Sequence, residues 1–278
     1  MRNTIISLYQ PTHISSLVPT MQSHIDSLFL NVAEAEEGTD IPFYELSLKM
    51  AIDVIGDTAF GVQFGLLSKP IPQPTPDDDK PEGGEDQEVS CFLKQHMHSI
   101  ESLKMDLSSS FSTILGLVVP VLQKPCREVL KRIPGTADYK MYHTNEKLCE
   151  RIDAIIAKRS SERAYRDSKD FLAAVLNARD SGVAKDLFTQ SYIRALTYEH
   201  LLAGTKTSAF TLAMTVYLVS KHPEVENKLL QEVDSFGSGG RTPTAEDLQC
   251  GFPYLDQASG KRNHEVLHCI PVSCKRDI

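Results

Sequence analysis

From about Ser191 to His222 the chain keeps helical spacing of its apolar residues without a proline, and no other segment sustains the pattern as long. Pro223 then falls where the first turn of a new helix tolerates it, with Glu224 and Glu226 beside the positive end of that helix. The second helix reads to Phe236, and Gly237 is a natural stop. Its stripe of Val225, Leu229, Leu230 and Val233 is expected to be buried. A chain built around such segments must pack helix on helix, and the expected class is mainly α.

The remaining segments agree. Apolar residues at 17, 18, 21, 25, 28, 29 and 32 follow helical spacing, as do Leu46, Met50, Ile52, Val54 and Ile55 within 43–60. Residues 139–164 put Leu148, Ile152, Ile155 and Ile156 on one face. Ser168 to Phe171 opens a further helix that Gly182 closes. Residues 108–122 are apolar around Pro120. Residues 69–88 hold five prolines, two glycines and a cluster of acids, with Ile71 the one apolar side chain. That composition cannot offset its ordering entropy by burial, so a disordered surface loop is expected there. No internal repeat occurs.

Composition excludes some functions. Of 278 residues 41% are hydrophobic and 24% charged, enough for a sizeable core. The net charge of -8 argues against a nucleic-acid binder that works by broad phosphate neutralisation. The longest apolar run, 114–122, is too short to cross a membrane and contains Gly116 and Pro120. No signal segment opens the chain. The six cysteines are scattered without a CxxC pair, so reduced thiols are expected, and there is no tryptophan.

Chemistry concentrates at Ala203-Gly204-Thr205-Lys206-Thr207-Ser208, inside the long helix. A mid-helix Gly costs about 1 kcal/mol relative to Ala, which is tolerated more readily where something approaches the backbone closely. Thr207 lies on the same side as Gly204 and can bond back to the helix carbonyls or to a ligand. Taken alone, the hexapeptide also suits a Gly/Thr packing notch. Other constellations are poor. There is no GxSxG elbow for a hydrolase. Gly237-Ser-Gly-Gly240 lacks the Lys-Ser/Thr of a phosphate loop. His96 and His98 are two apart and are expected at the surface. The spacing of His264, His268, Cys269 and Cys274 matches no standard zinc finger.

The stretch from Tyr198 through Thr207, the apolar run to Leu218, and Val219-Ser-Lys-His-Pro-Glu-Val-Glu226 resemble helices I and J of a cytochrome P450. Phe252-Pro-Tyr-Leu-Asp-Gln257 resembles the entry to helix K. Upstream, residues 2–11, 53–62, 103–108 and 129–136 resemble one subgroup closely, the plant carlactone oxidases of strigolactone synthesis, the more-axillary-growth class. The resemblance covers residues 2–257 and implies a partial fold, roughly helices C to J. It implies haem b as cofactor, a cytochrome P450 reductase as electron donor and an apocarotenoid such as carlactone as substrate. It places the complete enzyme at the cytosolic face of the endoplasmic reticulum membrane. By position it makes Gly204 and Thr207 the oxygen-activating pair, with Ala203 flanking them at the cofactor. Arg2 corresponds to the arginine that pairs a haem propionate.

Some family features are not found in these residues. Lys206 stands where many members carry an acid, and a charged lysine accepts no hydrogen bond. No cysteine has the Phe-x-x-Gly-x-Arg-x-Cys-x-Gly setting of the thiolate ligand. The in-frame ExxR pattern, the Trp that precedes the Arg2 position and the N-terminal anchor are missing too. The resemblance stops at Gln257, so 1–257 is expected to be a partial domain and 258–278 a tail. Synonymous codons for Arg262 to Ile278 exist that read, one base on, as Glu-Thr-Met-Arg and then Ser-Pro-Leu-Val-Ala-Arg-Glu-Thr, as the carlactone oxidases continue. The tail is therefore expected to be helix K translated out of frame. The chain is expected to be inactive alone, and cytosolic or degraded. The rival expectation is a soluble helical interaction module, docking a partner through the stripe at 148–156 or the helix at 191–222.

Overall fold

The computed structural model describes residues 11–34, 40–68, 92, 95–97, 110–162, 167–182, 188–236 and 243–258. Arg2, residues 69–88, His98, Gly237 to Gly240 and the tail after Ala258 lie outside them. In chain order the elements are α1 (Pro11–Ala33), α2 (Phe43–Ile55), a π turn (Gly56–Phe60) and a 3-10 turn (Leu66–Ser68). Then come α3 (Phe111–Val118), α4 (Pro120–Leu130), α5 (Ala137–Glu162), α6 (Phe171–Asp180), α7 (Gln190–Gly204) and α8 (Lys206–Lys221). The series ends with α9 (Pro223–Phe236), α10 (Ala245–Cys250) and α11 (Pro253–Ala258). There is no strand among the described residues.

Local chemistry sets the ends. Ser110, Asp170, Thr189 and Thr244 cap α3, α6, α7 and α10, each side-chain oxygen accepting a backbone N–H three residues on. Pro120 begins α4 at a position that needs no donor. Gly182, just past α6, takes φ +77°, which a residue with a Cβ adopts with strain.

The core joins α2, the π turn, α5, α6 and α7. Leu148, Ile152 and Ile156 of α5 are fully buried, as the spacing predicts, together with Phe60, Leu172, Leu176, Ile193 and Leu201. Asp170 also receives Arg159 of α5 in an ion pair, so one carboxylate caps α6 and ties it to its neighbour. Asp53 is buried in α2 and accepts the N–H groups of Leu66 and Leu67 at 3.0 Å, which folds the chain after the π turn back on that helix. Burial pushes its carboxyl above the usual range.

Three expectations are corrected. The long helix is not continuous: a bend at Thr205 separates α7 from α8. The stripe of α9 is not buried, since Leu230 and Val233 are half exposed and the helix has no buried residue. His96 is not at the surface but fully buried. Helical spacing located α1, α2, α5, α6 and α9, and the run that divides into α7 and α8. It did not say which faces acquire a neighbour.

Candidate functional site: the step between α7 and α8

The site is built on one helical run with two unlike faces. Ile193, Thr197, Leu201, Thr205 and Ala209 recur every four residues and are all buried. Ala203, Thr207, Ser208 and Phe210 are exposed. Each four-residue step overshoots a full turn by about 40°, so the buried stripe winds round the run. It meets α5 and α6 first and α2 later.

Along the run threonine hydroxyls bond back to helix carbonyls. Thr197 donates to the Ile193 carbonyl at 2.8 Å and Thr205 to the Leu201 carbonyl at 3.0 Å. Thr207 donates to the carbonyl of Ala203. Threonine back-bonding of this kind bends helices and loosens the backbone ladder where it occurs. Thr205 itself sits at φ −87° and ψ −72°, at the edge of the right-handed helical region.

Gly204 is half buried against α2. A Cβ built on it would lie 2.5 Å from Cδ1 of Ile55. Its missing side chain thus lets α2 approach the step, on a different side from the open face of Ala203 and Thr207. Opposite the open face, Nε2 of His96 lies 2.9 Å from the Thr205 hydroxyl. Burial lowers the imidazole pKa to about 4, so the ring is neutral near pH 7. His96 had no distinguishing signal in the sequence. Only the meeting of residues 109 apart reveals it.

The structure thus brings Ala203, Gly204 and Thr207 together on one turn, with Thr207 open and Gly204 packed. Arg2 lies outside the described residues. Two shallow grooves elsewhere carry charges of both signs. One is lined by Arg127, Asp138, Glu146, Glu150 and Arg194, the other by His24, Lys49, Asp53 and Asp57. No group of three His, Cys, Asp or Glu suited to a metal occurs among the described residues.

An all-helical core crossed by a bent helix with an Ala-Gly-x-x-Thr turn defines a class. The Cytochrome P450 family model matches residues 1–272, and the chain belongs to that family. Cytochrome P450 27C1 of Danio rerio is 25% identical over 87% of this chain and 38% of its own length. Thromboxane-A synthase of Sus scrofa is 24% identical over 92% of this chain and 49% of its own. Pentalenene oxygenase of Streptomyces avermitilis is 28% identical over 53% of this chain. The crystal structure of the cytochrome P450DA heme domain shares the fold, with a TM-score of 0.63 and 19% identity over 92% of this chain and 47% of that one. The chain spans about half or less of the length of these relatives. The fold is therefore mainly α and a partial cytochrome P450 fold.

The family binds haem, and the residues present fit only part of such a site. Ala203 and Thr207 are exposed on one side of the α7–α8 run. The axial thiolate has no candidate among the described cysteines. Cys126, Cys149 and Cys250 carry free thiols, and burial raises the pKa of Cys149, which favours the protonated form. These residues do not by themselves make a haem-thiolate centre. No helix among the described residues is long and apolar enough to cross a membrane.

Proposed function

We propose that residues 1–257 are the central helical portion of a haem-thiolate monooxygenase acting on a carlactone-type apocarotenoid, and that the 278-residue chain is inactive alone. The observation that supports it most is the step between α7 and α8. An exposed Thr207 stands one turn from an exposed Ala203 on a helix whose other face is packed. Such a face suits an oxygen-handling wall. The substrate class rests on the sequence at 53–62, 103–108 and 129–136 and its resemblance to plant carlactone oxidases. The relatives named above are animal and bacterial proteins. The complete enzyme would draw electrons from a cytochrome P450 reductase at the cytosolic face of the endoplasmic reticulum.

In this reading Ala203, Gly204 and Thr207 form the oxygen face, Arg2 meets a haem propionate, and residues 258–278 are helix K out of frame. Haem, when bound in the complete enzyme, supplies the oxidation, and the protein shapes and orients its surroundings. Two experiments test this. The purified chain, supplied with haemin, reduced and treated with carbon monoxide, is expected to give no thiolate Soret band, and its appearance overturns the inactivity. Transcript and genomic sequence across codons 250–300 is expected to show a second frame running on to a cysteine-loop motif. That frame, expressed with a reductase, is expected to oxidise carlactone, and a restored enzyme that leaves carlactone untouched overturns the substrate class. With no such frame, a monodisperse and cooperatively melting chain would favour the helical interaction module, docking through the exposed face of the 191–222 run, since Leu148, Ile152 and Ile156 of the other stripe are buried.

A further inference from the structure

A histidine with no accessible surface sits among apolar residues. Phe92 stacks on its ring, with centroids 6.5 Å apart and planes 15° from parallel, and Phe64 stacks on Phe92 in turn at 5.3 Å. Burying an imidazole in such surroundings is unfavourable unless it is hydrogen-bonded. Its bond is to Thr205, the residue that separates α7 from α8. Nδ1 has no partner among the described residues.

Proton counting fixes the direction of that bond. Thr205 has one hydroxyl proton and two neighbours, the Leu201 carbonyl at 3.0 Å and Nε2 of His96 at 2.9 Å. A carbonyl can only accept. If the hydroxyl donates to it, Nε2 must carry the ring proton and donate to the hydroxyl, and Nδ1 is left as a bare acceptor. If instead the hydroxyl donates to Nε2, the Leu201 bond is lost and a buried Nδ1–H has no acceptor. The first arrangement makes two bonds and the second makes one, and an unmet buried donor is the less favourable remainder.

We propose that His96 is a positioning residue for the step, its Nε2–H holding the Thr205 hydroxyl on the Leu201 carbonyl and so fixing how α8 leaves α7. Ile55 of α2 bears on Gly204. His96 bears on the next residue from a different part of the chain. The two contacts set the relation of Ala203, on the last turn of α7, to Thr207, on the first turn of α8. The chemical importance of that relation rests on the oxygen-face reading above. The clamp itself rests on the contacts alone.

The test uses the whole 278-residue chain without cofactor, so its failure is distinct from failure of the monooxygenase reading. Amide hydrogen exchange is followed by mass spectrometry for His96→Leu, Thr205→Val, the double variant and His96→Gln. His96→Leu is expected to speed exchange of residues 203–209 by about tenfold, the effect of one lost bond on a local opening, and Thr205→Val, which also loses the Leu201 bond, by at least as much. The double variant is expected to add nothing to Thr205→Val, which already breaks the bond to His96. His96→Gln carries an amide donor near the Nε2 position and is expected to restore slow exchange. Acceleration spread evenly over the chain, additive effects or no rescue by Gln would overturn the clamp. Should His96→Leu fail to fold, nitrogen NMR of the unaltered chain decides. The expected state of His96 near pH 7 is protonated Nε2 with bare Nδ1, and the reverse tautomer refutes the proposal.

Discussion

The two faces of the α7–α8 run are alike in residue type and opposite in fate. Thr197 and Thr205 are buried, whereas Thr207 is exposed. Leu201 has no accessible surface, whereas Phe210, two and a half turns on, is 55% exposed. Both faces satisfy the same local rules, since threonines on each donate to the carbonyl four residues back. What separates them is company. α2, α5 and α6 lie against one face, and Ala203, Thr207, Ser208 and Phe210 on the other stay exposed. The contrast repeats at larger scale between α6, with five buried residues, and α9, with none.

The largest effect should come from the covered side. Leu176→Ala removes a fully buried side chain between α6 and its neighbours and is expected to cost about 3–4 kcal/mol in denaturant unfolding followed by circular dichroism. An unfolding midpoint unchanged by that substitution would mean the core is not cooperatively packed, and the distinction between faces would lose its meaning.

Next in size is acid sensitivity. The His96 pKa falls from 6.5 to about 4 on folding because burial disfavours the charged ring. Between those values the unfolded chain binds a proton that the folded chain refuses. The histidine's contribution is therefore fully present above about pH 6.5 and lost as pH falls to about 4, a difference of about 3 kcal/mol. His96→Gln should flatten the stability profile in that window. An unchanged slope would place the histidine in contact with solvent.

Gly204→Ala gains about 1 kcal/mol of helix propensity and meets Ile55 at 2.5 Å. Because the obstacle is the end of a flexible side chain, a net loss of about 1 kcal/mol is expected, and Ile55→Ala in the same chain should remove the clash. Additive losses in a double-mutant cycle would show that the glycine is not a packing position. The smallest effect belongs to the open side. Leu230→Ala is expected to change stability by less than about 0.5 kcal/mol. A loss comparable with Leu176→Ala would show that α9 is covered after all.

Much of the fold was legible. The stripe of Leu148, Ile152 and Ile156 is buried as its spacing predicts, because a helix that long has one apolar face and the core lies beside it. The same rule failed in part on Val225, Leu229, Leu230 and Val233, where the spacing is as regular but Leu230 and Val233 stay half exposed and none of the four is fully buried. The candidate site was half legible. Gly204 and Thr207 stood out as a break in propensity, whereas His96 gave no pattern, being one polar residue in a short segment.

The sequence by itself determined the helices, their caps at Asp170, Thr189 and Thr244, and the proline starts at Pro120 and Pro223. Each depends on residues within about one turn of one another. Only the tertiary structure decided which apolar stripes are covered, where the long helix divides and why a histidine is buried at the division. Those depend on groups brought together from far along the chain, as His96 and Thr205 are across 109 positions. Local spacing carries no information about which of several equally regular faces will be met.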